Sequence, residues 1–188
     1  MVSAVALVGF GAAWILSTSA APARPARDAP AAVSDAVFRP TLDGRLECVA
    51  PNVEHRTCKA MAIYRRRADG SIELAATSLA NATPMILMKS VGTVTFTRDG
   101  MCASGVRQAF EKAEFTIDGV PASASQTARF RSRVVHFGRE ATNGLVCDHY
   151  VATGDNLMDL PTLDGKPVPE AVQRVLFVSP AEGYSVSP

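Results

Sequence analysis

The chain has 188 residues, a formal net charge of +1, 47% hydrophobic residues and 20% charged residues. This length is expected for one ordinary domain with a short tail, and the composition is too apolar for a disordered protein. A nearly neutral chain has no overall field to hold nucleic acid, so nucleic acid is not an expected partner.

The first 23 residues have the order of a secretory signal. Residues 2–21 carry no charge, and the apolar run 5–16 (VALVGFGAAWIL) is followed by small residues. This pattern predicts export, with cleavage motifs at 19–21 or 21–23. No Lys or Arg precedes the apolar run, and a run of this length can also span a bilayer, so an N-terminal membrane anchor is the alternative. Both interpretations place the rest of the chain outside the cytoplasm.

Residues 24–36 are rich in Ala, Pro and Arg and show no apolar period. This composition predicts a flexible linker between the signal and the folded part. A single domain is predicted to begin near Val37 and to run to residue 188.

Alternating apolar and polar residues predict several short strands in the first half of the domain. They cover 45–49, 57–66, 71–77, 85–88 and 92–97, and Asp69-Gly70 is predicted to close a hairpin. Apolar residues on both faces of 57–66 indicate a strand in the interior of a sheet. The pattern Thr-(Leu/Ile)-Asp-Gly occurs at 41–44, 116–119 and 162–165, and it is interpreted as one strand-to-turn chemistry used three times.

The stretch from Cys102 to Tyr150 organises the rest of the predicted fold. It begins just after a strand end at Asp99-Gly100, and it contains a short helix within 105–112, a strand over 114–117 and the clearest helix of the chain. Ser123 and Gln126 fit a capping box at the start of that helix. Its apolar face has four residues at helical spacing, namely Phe130, Val134, Phe137 and Ala141. Asn143-Gly144 is predicted to end it, and strands follow over 145–152 and 172–178.

Four cysteines allow three pairings. We predict Cys48–Cys58 and Cys102–Cys147, since local closure needs the least rearrangement. Loop entropy gives these bonds about 2.7 and about 4 kcal/mol of stabilisation. The predicted class is α+β, with a mostly antiparallel sheet, one main amphipathic helix packed on one face and two disulfides.

Motifs for enzymatic or metal chemistry are missing from the sequence. There is no C-x-x-C, H-x-x-x-H, G-x-S-x-G or S-x-x-K, so no catalytic residue, metal ligand or cofactor is predicted. Cys147 with His149, and His55 near Cys58, are metal candidates without the usual spacing. Six carboxylates are candidates for acid–base work by residue type alone: Glu47, Glu54, Glu73, Asp148, Asp155 and Asp159.

Basic residues on the main helix form the one predicted interaction surface. Its members are Arg129, Arg131, Arg133 and Arg139. They could contact anionic lipid headgroups or an acidic partner protein. The run 65–67 (RRR) is interpreted as a solvated hairpin end.

The sequence thus predicts an exported cell-envelope protein, periplasmic or secreted, that acts as a non-enzymatic binding or structural module. Its expected partner is an unknown envelope protein or an anionic membrane surface. The alternative is an exported, hydrolase-like enzyme whose site is assembled from residues distant in sequence. A deep polar pocket with a titratable group of shifted pKa would favour the enzyme. A shallow surface with a contiguous apolar or basic patch would favour the binding module.

Overall fold

The structure is a computed structural model, and it describes residues 39–97, 100–138, 143–154 and 156–188. The predicted signal, the linker and the predicted start of the domain lie outside these residues. Antiparallel pairing dominates, in one thirteen-stranded sheet beside a two-stranded sheet. The strands are β1 (Leu46–Val49), β2 (Thr57–Cys58), β3 (Ala60–Arg66), β4 (Ile72–Asn81), β5 (Ile86–Thr97), β6 (Gly100–Ala103), β7 (Glu114–Ile117), β8 (Val120–Pro121), β9 (Val146–Asp148), β10 (Tyr150–Thr153), β11 (Asn156–Asp159), β12 (Thr162–Leu163), β13 (Lys166–Pro167), β14 (Gln173–Val178) and β15 (Ser185–Val186). The helices are α1 (Arg39–Leu42), α2 (Val106–Glu111) and α3 (Ala124–Phe137), with short 3-10 turns at Pro169–Ala171 and Pro180–Glu182.

The main sheet closes on itself through one bent strand. β9 and β10 are separated only by His149, and β9 pairs with β6 while β10 pairs with β11. The order around the ring is therefore β10, β11, β14, β1, β3, β4, β5, β6 and β9. Because side chains alternate along a strand, Val146, Asp148 and Tyr150 face the same enclosed side.

Apolar side chains from most strands of the ring fill the enclosed side. The buried members of this core are Ala62, Tyr64, Ile72, Val94, Met101, Tyr150 and Val175. α1 adds Leu42 to the same core. Removal of this apolar surface from water is the main term that stabilises the closed sheet.

The outer face of β1 is covered by the C-terminal segment. Cys48, Cys58 and Val178 form a buried cluster there, and Tyr184 packs against it. β15 pairs with β2 in parallel, with Val186 opposite Cys58. This covering leaves the neighbouring outer face of β3, β4 and β5 more open.

A second core lies where β4 and β5 extend beyond the closed part of the sheet. In this region β7 pairs with the first residues of β5. Its buried members are Ala80, Met88, Ala113, Phe115 and Val134. Phe130 of α3 packs against this core with its ring centroid 5.2 Å from that of Phe115. α3 therefore packs on β7 and α2, and the molecule is better described as mostly antiparallel sheet than as α+β.

The predicted boundaries of α3 are confirmed at its start. The Ser123 hydroxyl accepts from the Gln126 N–H at 3.3 Å, and the Gln126 side chain accepts from the Ser123 N–H at 2.8 Å, which completes the capping box. The helix ends at Phe137 with Gly138 as its cap, before the predicted last residue Ala141. Ala141 and the side chain of Phe137 lie outside the described part of the chain.

Both predicted disulfides are present, Cys48–Cys58 and Cys102–Cys147. Cys102 and Cys147 are direct partners in the register of β6 and β9. The second bond therefore joins the two strands between which α2, β7, β8 and α3 are inserted, as predicted.

Two of the three Thr-(Leu/Ile)-Asp-Gly segments form the same turn. Residues 118–119 and 164–165 are two-residue hairpin loops with positive φ at both positions, 48° and 83° in the first and 50° and 76° in the second, as a type I′ turn requires. In the first turn, the Asp118 N–H donates to the Met85 carbonyl, and the Met85 N–H donates to the Asp118 carboxylate. In the second turn, Asp164 and Leu145 exchange the same two hydrogen bonds. Met85 and Leu145 each precede a strand. The segment 41–44 differs, since it ends α1, so the interpretation of three equal turns was wrong for that segment.

Some predicted strand boundaries were wrong. The predicted strands 85–88 and 92–97 are one continuous strand, β5. Gly92 is not a turn residue: a Cβ at this position would lie 3.8 Å from the Cβ of Ala109, so it marks the place where α2 comes close to β5. The predicted strand 57–66 is interrupted at Lys59. Among the described residues, no helix combines the length and the apolar character needed to cross a bilayer.

Candidate functional site

A groove of about 1070 Å³ lies on the outer face of β3, β4 and β5. Outward-facing residues of these strands form its floor. Gln108, Ala109 and Lys112, in and just after α2, line it on one side, and Ser185 and Val186 of β15 also contribute to its lining. We call this feature the outer groove. Its volume falls at the upper end of the range that is common for small-molecule sites.

The floor of the outer groove consists of side chains in register across three strands. Ile63, Ala75 and Val91 form one row, and Met61, Thr77 and Lys89 form the next. The first row is entirely apolar; Val91 is 52% exposed, and Ile63 and Ala75 are partly exposed although β15 contacts β3 and β4. The sequence had indicated this surface indirectly, because β3 is apolar on both faces: one face is core, and the other is this floor.

Charged groups in the outer groove are mostly basic. Lys89, Lys112 and Arg67 line it, and among the described lining residues Glu114 is the only acidic one. Arg67 forms an ion pair with Glu73. Neither lysine makes an ion pair with another described residue, so the two ammonium groups give this side of the groove a positive character.

A second candidate site is a cluster of carboxyl and phenol groups on the enclosed side of the sheet. Glu47 is only 4% exposed and accepts hydrogen bonds from the hydroxyls of Tyr64 and of Tyr150, the latter at 2.7 Å. Asp159 is also 4% exposed and lies opposite Tyr150 in the register of β10 and β11. Asp148, half-buried, is two residues before Tyr150 on the same side. We call this the interior acid cluster.

Burial and mutual repulsion raise the pKa values in the interior acid cluster. Burial raises the pKa of Glu47, and the two tyrosine hydrogen bonds oppose this rise. Burial and then the Glu47 charge raise the pKa of Asp148 to about 7. Burial, then the charges of Asp148 and Glu47, raise the pKa of Asp159 to about 9, against a hydrogen bond from Gln173. At neutral pH Asp159 therefore holds a proton.

The interior acid cluster lies apart from the outer groove. Oδ1 of Asp159 is buried without a hydrogen-bond partner, and none of the three carboxylates lines the outer groove. Within the described residues, no group of three or more His, Cys, Asp or Glu side chains has an arrangement that could hold a metal ion. The cluster is therefore a feature of the core and not the better candidate for a binding site.

The structure brings together three of the six candidate carboxylates, Glu47, Asp148 and Asp159. Glu54 is exposed, Glu73 pairs with Arg67, and Asp155 lies outside the described residues. No local signal in the sequence distinguishes the three that meet, because β1, β9 and β11 are not paired with one another and share the enclosed side only when the sheet closes.

The predicted arginine surface on α3 is only partly available. Arg129 and Arg133 are exposed, whereas Arg131 is half-buried and donates from Nε to the carbonyl of Ala113 at 2.8 Å. Arg131 therefore holds α3 against the segment that follows α2. Arg139 lies outside the described residues, and binding through this surface stays a prediction.

The metal candidates named from the sequence are engaged in other contacts. Cys147 and Cys58 are in disulfides and cannot act as thiolate ligands. His149 has its Nε2 3.3 Å from the hydroxyl of Thr162. His55 lies on an exposed loop, where its backbone N–H donates to the side chain of Asn52.

No match was found among protein-family models, curated proteins or solved structures.

Proposed function

We propose that the protein is an exported binding module of the cell envelope, periplasmic or secreted, and that the outer groove is its binding site. The observation that carries the proposal is the partly exposed apolar row of Ile63, Ala75 and Val91 on the floor of the outer groove. Contiguous exposed apolar surface in a concave site is typical of ligand binding.

Two features support a location outside the cytoplasm. All four cysteines are bonded in pairs, and structural disulfides persist mainly in oxidising compartments. The N-terminal residues also have the order of an export signal.

Binding is favoured over the alternative of an exported enzyme. An enzyme of the predicted kind would need its shifted titratable groups beside a cavity that admits a substrate. The groups whose pKa values are raised to about 7 and about 9, Asp148 and Asp159, face the enclosed side of the sheet and do not line the outer groove.

The proposal is tested with the neutral dye Nile red, whose fluorescence rises in apolar surroundings. Ala75→Trp fills the middle of the floor and should reduce the fluorescence gain at least about tenfold, because the site loses its volume. Thr95→Trp is the matched control, since Thr95 is exposed on the outer face of β5 beyond the groove. Val91→Asp is a second variant that removes binding without added bulk, and circular dichroism verifies that each variant folds. Equal dye binding by the wild type and Ala75→Trp would refute the proposal.

A further inference from the structure

We infer that the outer groove takes single-chain amphipathic anions, meaning one straight hydrocarbon chain that ends in a carboxylate or phosphate group. The ligand enters as a monomer and not as part of a bilayer. This inference rests on the proposed function and adds the chemical class of the ligand.

The shape of the floor fits a single extended chain. Ala75 and Thr77 on the central strand β4 are smaller than their neighbours in register on β3, Ile63 and Met61, and on β5, Val91 and Lys89. At these two positions the floor is therefore lower along β4 than on either side, which makes a short channel parallel to the strand. A straight chain lies in such a channel with contact on both sides, whereas a broad ring system would rest on the rims.

The charges select the headgroup. Lys89 flanks the channel beside Thr77, and Lys112 lines the same groove from the end of α2. Both ammonium groups are without an ion-pair partner among the described residues, so they are free to bind an anionic oxygen. Glu114 lies opposite Lys89 in the register of β5 and β7 and would repel an anion, but the two lysines outnumber it. Charge-assisted hydrogen bonds from the lysines to the headgroup are stronger than bonds to a neutral hydroxyl.

The test compares three ligands that share one chain and differ in the headgroup. Dodecanoate, dodecanol and dodecyltrimethylammonium each displace Nile red from the purified protein, below their micelle concentrations. Dodecanoate should displace the dye at about tenfold lower concentration than dodecanol, and dodecyltrimethylammonium should be the weakest. The preference should weaken with added salt.

Charge variants connect the preference to the groove. Lys89→Gln with Lys112→Gln should remove the preference, so that dodecanoate and dodecanol displace the dye at similar concentrations. Lys89→Glu with Lys112→Glu should reverse the order in favour of dodecyltrimethylammonium, a result that a folding defect cannot produce. Lys166→Gln is the control, since Lys166 is exposed on β13 and does not line the groove.

The outcomes separate this inference from the proposed function. If the dye binds and Ala75→Trp blocks it, but dodecanoate and dodecanol compete equally, the ligand class is wrong and the binding site stands. If the dye does not bind to the wild type, both fail. A dimer in sedimentation that Ala75→Trp dissociates would show that a second copy of the chain occupies the groove, and would overturn the inference.

Discussion

At the scale of single residues, the interior acid cluster is the least expected feature. Glu47, Asp148 and Asp159 lie on the enclosed side of a sheet otherwise filled by apolar groups. The two tyrosine hydroxyls satisfy Glu47, whereas Asp159 retains an oxygen without a partner. Three carboxyl groups that repel one another in this way are compatible with folding only if at least one of them stays protonated.

This cluster predicts that the protein loses stability as the pH rises. The pKa values of Asp148 and Asp159 in the folded state, about 7 and about 9, lie above the ordinary value of 3.8, so the folded state binds these protons more tightly than the unfolded state. The stabilisation is complete below about pH 4 and is lost as the pH rises through the two folded values. Urea unfolding should therefore give a lower free energy of unfolding at about pH 9 than at about pH 5.

Replacement of one carboxyl group tests the cause. Asp159→Asn removes the charge but keeps the shape, so it should flatten the pH dependence and should be more stable than the wild type at about pH 9. Asp43→Asn, at an exposed carboxylate after α1, should follow the wild type. If the free energy of unfolding of the wild type does not fall above neutral pH, this explanation is contradicted.

At the scale of elements, hairpins were predictable where the sequence carries local turn chemistry. The end of β7 and the start of α3 follow from Asp118-Gly119 and from the capping pair of Ser123 and Gln126, because these signals act over three or four residues, whereas β8 was not predicted. Both disulfides could also be predicted from spacing. Strand continuity was harder, since Gly92 resembles a break and is in fact a point of close approach to α2.

The hairpin of residues 164–165 gives a prediction at this scale. Asp164 has a φ of 50° and its carboxylate accepts the Leu145 N–H at 2.9 Å. Asp164→Ala loses this bond, and Ala tolerates the left-handed region less well than Asp, so the substitution should lower the free energy of unfolding by roughly 1–3 kcal/mol. Asp164→Asn should cost less, because an amide oxygen still accepts and Asn tolerates positive φ. Urea denaturation measures the free energy of unfolding of both variants. Equal losses of this free energy in Asp164→Ala and Asp164→Asn would show that the turn does not hold β9 in place.

At the scale of the whole molecule, closure of the sheet could not be predicted. The pair β14–β1 joins segments more than 120 residues apart, β11–β14 skips β12 and β13, and no local pattern encodes which strands become neighbours. For the same reason Glu47, in a short alternating strand, gave no sign of facing an enclosed core. The outer groove was foreshadowed only by the two apolar faces of β3.

Export gives a prediction for the intact protein. The mass of the secreted chain should correspond to cleavage within 19–23, and reduction should add four hydrogen atoms because both disulfides open. Alkylation without reduction should add nothing. A full-length mass in the membrane fraction would favour the N-terminal anchor, and two free thiols would contradict the paired cysteines.

The most direct test of the central claim is a map of the ligand contacts by nuclear magnetic resonance. Titration of the labelled protein with dodecanoate should shift the amide and methyl signals of Ile63, Ala75 and Val91, on the outer face of the sheet. Signals of Tyr64 and Tyr150, on the enclosed side, should stay in place. Shifts concentrated at these tyrosines, with the outer row unchanged, would show that ligands enter the closed interior and would contradict the assignment of the outer groove as the binding site.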